Sequence, residues 1–484
     1  MHFFASPFSA PLKRLAATGA CLLLAACGGG SGSTSASNGA STPSAVTVSV
    51  ALAPASVSIG QSSVLTWSSA NAASCTASGA WSGSQATSGT LPVPQSAAGS
   101  YTYNLACTGA AGTTSASAAL TVTVPINVAA ITVDNGPAGA GGAINVPYVS
   151  VTVCRPGTST CQTIDHVMLD TGSYGLRLIA PLSASLGLPA VTTPSGAAAA
   201  ECGQFVSGYT WGSVRRADVK LGGETAPGIP IQVIGDTASP YGNAPSSCSA
   251  TGSNLGTVAN LGANGILGVG LFKQDCGSNC VTRAVAATYY SCTSSGNIDS
   301  CAASAMPLAS QVGNPVAAFA SDNNGVLLTL PAVATGGTTT LSGALIFGIG
   351  TQNNNSMASE TVYKVSPTSG NFNTTYQGKT LSASFIDSGS NGYFFTDSTQ
   401  RGCPSSTDFY CPLAPESLSA VNAAYDNSMS GTINFSIENI DNLDSSINVA
   451  SVGGTNGKNS NAFDWGLPFF FGRRVFVVLE DATA

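Results

Sequence analysis

The tetrapeptide Asp170-Thr171-Gly172-Ser173 decides the fold, because a near copy of it, Asp387-Ser388-Gly389-Ser390, stands further along the chain. These stretches hold the only Asp-Thr-Gly and Asp-Ser-Gly tripeptides in the sequence, and each is followed by one residue and a glycine, Gly175 or Gly392. One such tripeptide would be ordinary turn chemistry. Two copies with matching flanks indicate an internal duplication in which each half supplies one carboxylate, and they predict that folding brings the two carboxylates together.

The composition favours strands, turns and loops over long helices. Charged residues make up only 8% of the 484 residues, against about 25% in an average soluble protein. Gly, Ser, Thr, Ala and Asn take their place, and the length is sufficient for two or three domains with buried cores. Because nucleic-acid binding needs clustered Lys and Arg, we expect no nucleic-acid partner.

The N-terminus is typical of an exported bacterial lipoprotein. Lys13-Arg14 precedes an apolar stretch over residues 15–24, which is too short to span a membrane and is followed by small residues, as in a signal peptide. The Leu-Ala-Ala-Cys sequence that ends at Cys27 resembles a lipobox, so we expect removal of residues 1–26 and lipidation of Cys27. The alternative is ordinary signal cleavage that leaves Cys27 free. The missing Asp after Cys27 implies, by the same resemblance, anchorage in the outer membrane, facing the periplasm or the cell surface.

Export permits disulfide bonds. Of the fourteen cysteines, one lies in the signal peptide and one would carry the lipid, which leaves an even number. Local spacing predicts three bonds: Cys75 with Cys107, Cys154 with Cys161, and Cys403 with Cys411. Six further cysteines have an open connectivity: Cys202, Cys248, Cys276, Cys280, Cys292 and Cys301. Cys276 and Cys280 have the spacing of metal ligands as well, but no His lies near them, so we expect a disulfide bond and no metal.

Shifts in composition divide the chain into segments. A Gly/Ser/Thr-rich tether is followed by short alternating runs separated by turns, which predict a small all-β sandwich. A Pro/Gly-containing junction then leads into a third domain with two lobes. The expected boundaries are 1–26 for the signal peptide, 27–45 for the tether, 46–124 for the sandwich, 125–140 for the junction, and 141–325 and 326–484 for the two lobes.

The sandwich segment resembles a bacterial immunoglobulin-like module. Trp67 stands shortly before Cys75, and Cys107 follows in a later strand, which predicts a disulfide bond between the two sheets beside a tryptophan. Adhesion is one function for such a module. A spacer that lifts the next domain off the membrane requires less, and we favour it.

The counts of catalytic residue types restrict the chemistry to carboxylates. After the signal peptide the chain has one histidine, His166, which lies four residues before Asp170 on the same predicted strand, where a structural role is expected. The sequence has no His-Glu-x-x-His motif, no phosphate-binding loop and no dinucleotide fingerprint. An enzyme with this sequence would therefore use Asp170 and Asp387, without a cofactor.

Two carboxylates within hydrogen-bond distance share one proton, because both do not ionise easily. The ionised one takes a proton from a water held between them, and the protonated one donates to the carbonyl oxygen that is attacked. The neighbouring residues suit this chemistry, since glycines let the backbone approach the carboxylates and donate N–H groups, and hydroxyls bridge the loops or orient carboxylate oxygens. These supporting residues are Gly172 and Gly389, Thr171 and Ser388, and Ser173 and Ser390.

The third domain resembles the pepsin-like, two-lobed aspartic peptidases. Residues 167–173 and 385–390 are similar to the two catalytic loops of that family, and residues 264–268 are similar to the segment that supports the first aspartate. Residues 209–213 look like the flap hairpin. The resemblance covers roughly residues 140–480. The domain also resembles a bacterial group of uncharacterised lipoproteins.

This resemblance implies an all-β domain of two β-barrel lobes and a catalytic dyad of Asp170 and Asp387. It also implies an aspartic endopeptidase that hydrolyses peptide bonds of a polypeptide substrate. Tyr209, with Trp211 beside it, would then cover the substrate.

Two departures from the family pattern favour an alternative function. Pro468 stands where we expect the glycine of the second supporting segment, and Arg177 stands where the family usually carries a tryptophan. The alternative is a catalytically inactive surface lipoprotein that binds a peptide or glycan on the same scaffold. A further alternative treats both Asp motifs as mere turns, and it requires the carboxylates to lie more than about 7 Å apart.

Overall fold

The computed structural model describes residues 2–7, 42–58, 62–95, 98–123, 126–142, 144–296, 298–444, 446–457 and 461–482. The chain forms two compact units, of which the smaller is Ala10–Pro125 and the larger combines Met1–Ser9 with Ile126–Ala484. Strand β1 (His2–Pro7) belongs to the larger unit. It lies inside the predicted signal peptide, and the other residues of that segment are outside the described residues.

The smaller unit is a sandwich of two sheets with one shared core. The order of its strands is β2-β4-β7 in one sheet and β3-β9-β8-β5-β6 in the other. In β4, exposed and buried residues alternate, which directs Leu65 and Trp67 into the core. The strands are β2 (Thr47–Ala53), β3 (Ser56–Ser58), β4 (Ser62–Ala70), β5 (Ser74–Gly79), β6 (Gly83–Gln85), β7 (Ser88–Pro94), β8 (Gly99–Gly109) and β9 (Gly112–Thr123).

The disulfide bond of this unit joins two strands of the same sheet. Cys75 in β5 is directly opposite Cys107 in β8, and their Cα atoms are 4.0 Å apart. The predicted bond between the sheets is therefore wrong, because adjacent antiparallel strands place the two cysteines side by side. Trp67, from the other sheet, packs instead against Trp81 at 5.1 Å between ring centroids. The immunoglobulin-like classification stays a prediction.

The larger unit is built almost entirely from strands. Its helices are single turns: α1 (Ser246–Ser249), α2 (Val258–Leu261), and 3-10 turns at Ala184–Leu186, Gly277–Cys280, Leu308–Ser310, Pro315–Ala318, Ile440–Asn442 and Leu467–Phe470. The strands are β10 (Val128–Val133), β11 (Pro147–Cys154), β12 (Cys161–Asp170), β13 (Tyr174–Ile179), β14 (Ala198–Phe205), β15 (Gly208–Leu221), β16 (Glu224–Ile234), β17 (Gly265–Val269), β18 (Tyr289–Ser295), β19 (Ile298–Ala303), β20 (Gly325–Leu330), β21 (Leu341–Phe347), β22 (Thr361–Lys364), β23 (Phe372–Tyr376), β24 (Lys379–Ile386), β25 (Tyr393–Phe394), β26 (Glu416–Ala423), β27 (Ser430–Ile437), β28 (Gly453–Gly454), β29 (Asp464–Trp465) and β30 (Arg473–Val478).

The larger unit contains two sheets. A 15-stranded sheet has the order β19-β18-β14-β15-β16-β13-β17-β12-β11-β10-β21-β20-β30-β1-β22, and a seven-stranded sheet has the order β27-β26-β23-β24-β29-β25-β28. A continuous apolar core receives side chains from both sheets. The fold is therefore all-β and two-lobed, as the sequence predicts.

The segment predicted as a junction, residues 125–140, contains a central strand. Strand β10 pairs antiparallel with both β11 and β21. Its alternate residues Ala129, Ile131 and Val133 are buried, which is the pattern of a strand with one face on a core. The proline and glycines that suggested a junction flank this strand and do not interrupt it.

A unit of four strands occurs twice in the larger unit. In the first copy, β12 is parallel to β17, β17 is antiparallel to β13, and β13 is parallel to β16. In the second copy, β24, β29, β25 and β28 make the same pairings in the same order. The duplication predicted from the two Asp motifs is thus present in the backbone, and the first strand of each copy leads into an Asp loop.

The strand registers identify the segment that supports each aspartate. Asp170 lies opposite Gly268 in the pairing of β12 with β17. In the second copy the N–H of Asp387 donates to the carbonyl oxygen of Trp465 at 3.1 Å, so the residue that corresponds to Gly268 is Gly466.

Both of these glycines are required by close backbone contacts. A Cβ at Gly268 would lie 2.5 Å from the nitrogen of Tyr174, and a Cβ at Gly466 would lie 2.1 Å from the carbonyl oxygen of Gly392. The prediction that Pro468 replaces the second glycine is therefore wrong by two positions. Pro468 lies in the 3-10 turn that follows the supporting segment.

Candidate active site

The two Asp loops bring their carboxylates together. A Cβ added at Gly389 would lie 3.0 Å from Asp170 Oδ1 and 3.1 Å from Asp387 Oδ1, so both oxygens flank one point. A Cβ at Gly172 would lie 2.6 Å from the carboxyl carbon of Asp387. The carboxylates are thus closer than the roughly 7 Å that would exclude a shared proton. Asp170 is buried, while Asp387 is half-buried and Gly172 is exposed.

Each carboxylate accepts two hydrogen bonds from its own loop, one from a glycine N–H and one from a serine hydroxyl. The donors to Asp170 are Gly172 (2.7 Å) and Ser173, and the donors to Asp387 are Gly389 (2.8 Å) and Ser390 (3.0 Å). Such bonds fix the orientation of both carboxylates. The supporting geometry of the two loops is nearly symmetric.

The second residue of each motif ties the two loops to each other. The Thr171 N–H donates to Ser388 Oγ at 3.1 Å, and the Ser388 N–H donates to Thr171 Oγ1 at 2.9 Å. Ser388 Oγ also donates to the carbonyl oxygen of Leu169 at 2.7 Å. Since both hydroxyl-bearing residues are buried, these bonds hold the loops rigidly against each other.

Asp387 holds its proton more strongly than an ordinary aspartate. Burial, the negative charges of Asp170 and Asp464, and a side-chain hydrogen bond with Asp170 raise the pKa of Asp387 well above its usual range. The hydrogen bond from Ser390 opposes this shift of the pKa only in part. A carboxyl pair with one retained proton is the state that such close carboxylates are expected to adopt.

Asp464, which the sequence analysis did not identify, is a third acid at this site. It belongs to β29 and is buried, and its Oδ2 lies 2.7 Å from Ser390 Oγ, which also contacts Asp387. Burial and the charge of Asp170, against the hydrogen bond from Ser390, raise the pKa of Asp464 to about 8. The signal in the sequence was an acidic residue inside the apolar run Phe463-Asp464-Trp465.

Tyr209 and Trp211 are both buried, and their expected role of covering a substrate stays a prediction. Both are less than 10% exposed and belong to a small core cluster with Tyr241. Trp211 Nε1 also donates to the carbonyl oxygen of Tyr241 at 2.8 Å. They lie on β15 beyond the turn of the β14–β15 hairpin, and the alternation of that strand turns them inward.

The exposed residues of this hairpin are at its turn. Val206 is fully exposed, and Phe205, the last residue of β14, lies beside the guanidinium of Arg177 at 5.7 Å from its ring centroid. The aromatic residue nearest the turn is therefore Phe205, whereas the family resemblance points to a tyrosine in this hairpin.

Arg177 is the centre of a buried ion-pair network. Its guanidinium contacts Glu201 Oε1 at 2.5 Å and Asp275 Oδ2 at 3.4 Å, and it donates to the carbonyl oxygen of Tyr174 at 2.8 Å. Tyr289 donates its hydroxyl to Asp275 at 2.6 Å. Burial and then the charge of Glu201 raise the pKa of Asp275 well above its usual range. This network connects the strand after the first Asp loop to the base of the β14–β15 hairpin.

A cavity of about 180 Å³ adjoins the dyad. Thr171, Gly172 and Tyr174 line it from the first Asp loop and the strand after it. Phe372 of β23 and Phe385 of β24 line it as well. A partly apolar cavity beside a carboxylate pair is suited to a side chain of a ligand.

All twelve cysteines among the described residues are paired. The three predicted bonds are present, and the six remaining cysteines form the bonds Cys202–Cys248, Cys276–Cys280 and Cys292–Cys301. Asp441 lies close to Cys403 and Cys411, but a disulfide sulfur is a poor metal ligand, because metals bind the thiolate. Six disulfide bonds indicate an extracytoplasmic protein.

The predicted lipidation site, Cys27, lies outside the described residues. Among the residues that are described, no helix has both the length and the apolar character needed to cross a bilayer.

The larger unit is an all-β, two-lobed domain with one Asp loop from each copy of the duplicated unit. The chain belongs to the family described as "Protein of unknown function (DUF3443)", which it matches over residues 123–484. Among solved structures, the aspartic proteinase from Irpex lacteus is similar at 17% identity, with a TM-score of 0.38, over 74% of this chain and 98% of that chain. No curated protein matches the chain.

Proposed function

We propose that this protein is an aspartic endopeptidase in which Asp170 and Asp387 activate a water for peptide-bond hydrolysis. The observation that carries the proposal is the convergence of two carboxylates on one point, each oriented by its own glycine N–H and serine hydroxyl. A pair of turns without a shared function would have no reason to approach so closely, since burying like charges together is costly.

In this mechanism Asp387 is the protonated partner, because the pKa of its carboxyl is raised by burial and by Asp170. Asp387 donates its proton to the scissile carbonyl oxygen, while Asp170 accepts a proton from the attacking water. A tetrahedral diol forms without a covalent enzyme intermediate. When it collapses, a proton passes to the leaving amine and the dyad returns to its starting state.

A polypeptide substrate fits the surroundings of the dyad. Gly172 is exposed next to the carboxylates, so an extended chain approaches them without meeting a side chain. The adjoining cavity, lined by Phe372 and Phe385 among others, would hold an apolar side chain of the substrate.

The proposed location is the outer membrane, with the lipid on Cys27 and the smaller unit as a spacer. The observed support is the set of six disulfide bonds, which require an oxidising compartment. Metabolic labelling with a radioactive fatty acid tests the anchor: the wild-type chain is expected to incorporate label and the Cys27→Ser variant is not.

The activity is tested by incubating the full chain with a peptide library across a pH range of about 3 to 9, followed by mass spectrometry. Cleavage is expected from the wild type and is expected to be lost in Asp170→Asn and Asp387→Asn, with unchanged circular dichroism. Cleavage that survives in both variants would place the activity elsewhere. If the wild type cleaves nothing at any pH, the result favours the alternative of a binding protein on the same scaffold. Its ligand, a peptide or a glycan, is then sought with an array.

A further inference from the structure

Asp464 has no acidic counterpart in the first copy of the duplicated unit. It occupies the position in β29 that Ile266 occupies in β17, because Phe385 and Met168 are the respective partners in the parallel pairings. Both positions are buried. An apolar side chain at such a position supports the aspartate loop by packing alone, so the acid at 464 requires another explanation.

The hydrogen-bond geometry around Ser390 requires a proton on one of its two partners. Ser390 Oγ lies 3.0 Å from Asp387 Oδ2 and 2.7 Å from Asp464 Oδ2. A hydroxyl has one hydrogen to donate, so it cannot serve two ionised carboxylates at once. One of the two carboxyls must therefore be protonated and donate to Ser390 Oγ, while the Ser390 hydroxyl donates to the other carboxylate.

The surroundings of Asp464 favour the protonated form. Its Oδ1 is buried without a hydrogen-bond partner, and no ion pair within the described part of the chain includes it. The strands beside it present Phe385 and Phe394, and the charged groups that act on it are the aspartates of the dyad. A buried carboxylate without a cation retains its proton.

We propose that Asp464 is a positioning residue of the dyad: in its protonated form it donates to Ser390 and so directs the Ser390 hydroxyl toward Asp387. This inference rests on the proposed peptidase function for its consequence but not for its geometry. With the hydroxyl so directed, Asp387 Oδ2 is an acceptor, and the proton of Asp387 stays on the oxygen that faces Asp170.

Ionisation of Asp464 would reverse the direction of both hydrogen bonds of Ser390. When Asp464 loses its proton to solvent, Ser390 donates to the new carboxylate, and Asp387 Oδ2 loses its donor. The proton of Asp387 is then drawn to Oδ2, where it donates to Ser390 and no longer reaches the substrate. Since the pKa of Asp464 is about 8, the loss of activity is expected on the alkaline side.

The pH dependence of kcat/KM for a cleaved library peptide tests the proposal. In Asp464→Asn the amide N–H keeps the donation to Ser390 at every pH, so the alkaline fall of kcat/KM is expected to move to higher pH. Asp464→Ile has no donor and leaves the hydroxyl undirected, so its kcat is expected to be about tenfold below that of Asp464→Asn. If Asp464 acted through packing alone, kcat would be expected to be higher in Asp464→Ile than in Asp464→Asn.

A matched control is Asp397→Asn, since Asp397 is also a buried acid of the second lobe but is held by Tyr376 and Thr399. It is expected to retain the alkaline fall of the wild type. An Asp464→Asn profile identical to that of the wild type would overturn the proposal.

A measurement independent of catalysis separates this proposal from the proposed function. In full-length protein labelled with ¹³C at the aspartate carboxyls, one carboxyl is expected to titrate near pH 8 by NMR, to be missing in Asp464→Asn and to persist in Asp397→Asn. If this signal is present while no peptide is cleaved at any pH, the peptidase proposal fails and the protonated Asp464 stands. If the wild type cleaves peptides but Asp464 titrates near pH 4, as an ordinary aspartate does, the role of Asp464 is refuted.

Discussion

The two copies of the duplicated unit place a buried ionisable side chain in the same pair of facing positions, but on opposite members of the pair. In the first copy, Arg177 of β13 faces Ile266 of β17. In the second copy, Phe394 of β25 faces Asp464 of β29. A cation thus stands on one strand of the first copy, and an acid stands on the other strand of the second copy.

Arg177 and Asp464 differ in whether an oppositely charged group lies beside them. Arg177 is neutralised by Glu201 and Asp275 within a buried ion-pair network. Asp464 has only the Ser390 hydroxyl and two further acids nearby. A compensated buried charge acts mainly on stability and specificity of packing, whereas an uncompensated one changes the protonation of its neighbours. The first copy therefore fixes geometry, and the second sets the proton balance of the dyad.

The matching positions of the two copies follow from the strand registers. Among the substitutions that test these registers, Gly466→Ala has the largest expected effect on stability. Its Cβ would lie 2.1 Å from the carbonyl oxygen of Gly392, a backbone contact that no side-chain movement relieves. We expect a loss of more than about 4 kcal/mol in the free energy of unfolding, measured in urea, or no folded protein. Pro468→Ala, two residues later, is expected to cost about 1 kcal/mol. The reverse order would show that the second supporting segment is centred on Pro468 and that Gly466 does not correspond to Gly268.

Arg177→Met is expected to have the next largest effect. It removes the cation and leaves Glu201 and Asp275 buried without a counterion, which costs about 3–5 kcal/mol in the free energy of unfolding. Phe394→Leu, at the matching position of the second copy, is expected to cost only about 1 kcal/mol, because Phe394 is partly exposed and uncharged.

The cause of the Arg177 effect is testable by a double substitution. Adding Glu201→Leu to Arg177→Met removes one of the two stranded acids, so thermal and urea unfolding are expected to recover part of the loss. A double variant less stable than Arg177→Met alone would mean that the arginine acts through packing. The two copies would then differ in the packing of these side chains more than in their charge.

The sequence was sufficient to predict the parts of this site that repeat. Two Asp motifs with matching flanks predict a duplication, and the roles expected for Thr171, Ser388 and the two glycines follow from residue chemistry alone. The bonds Cys154–Cys161 and Cys403–Cys411 were also predictable, because short loops constrain which cysteines meet. These features depend on local order along the chain.

Features that depend on register were not predictable. Pro468 lies two positions after Gly466, the glycine that it was expected to replace. The short strand β29 has no alternation of polar and apolar residues from which a register can be predicted. The burial of Tyr209 was not predictable either, because the sequence of β15 does not reveal which of its residues are covered. Asp464 was passed over because an acid in an apolar run has no meaning until the strand beside it is known to carry an aspartate.

A smaller effect is expected from the hydroxyls that join the two loops. Ser388→Ala removes a hydroxyl that donates to Leu169 at 2.7 Å and accepts from the Thr171 N–H, so two buried backbone groups lose a partner at a cost of about 2 kcal/mol. Thr171→Val is expected to cost about 1 kcal/mol, since its second bond, to Ile386, is long at 3.4 Å. Urea unfolding of both variants measures the difference. A larger cost for Thr171→Val would mean that the first loop, not the second, holds the pair together.

The smallest expected effect is a change in the pH dependence of stability in Asp464→Asn. The pKa of Asp464 is about 8 in the folded protein and about 3.9 in an unfolded chain. Between these values the folded state holds a proton that the unfolded state has lost, so the wild type becomes less stable as pH rises, and this contribution levels off above pH 8. Asn has no such proton. Between pH 5 and 6 the wild type is therefore expected to lose about 1 kcal/mol more than the variant in urea unfolding.

The opposite sign is expected for Asp397, which makes it a control for the direction of this effect. Hydrogen bonds from Thr399 and Tyr376 outweigh burial and lower the pKa of Asp397. The stability that Asp397 contributes is present above the unfolded pKa of about 3.9 and is lost as pH falls below it. Asp397→Asn is thus expected to flatten only the acid end of the stability profile. Equal slopes for Asp464→Asn and the wild type between pH 5 and 6 would mean that Asp464 is ionised in the folded protein, and the second copy would then hold its charge as the first copy does.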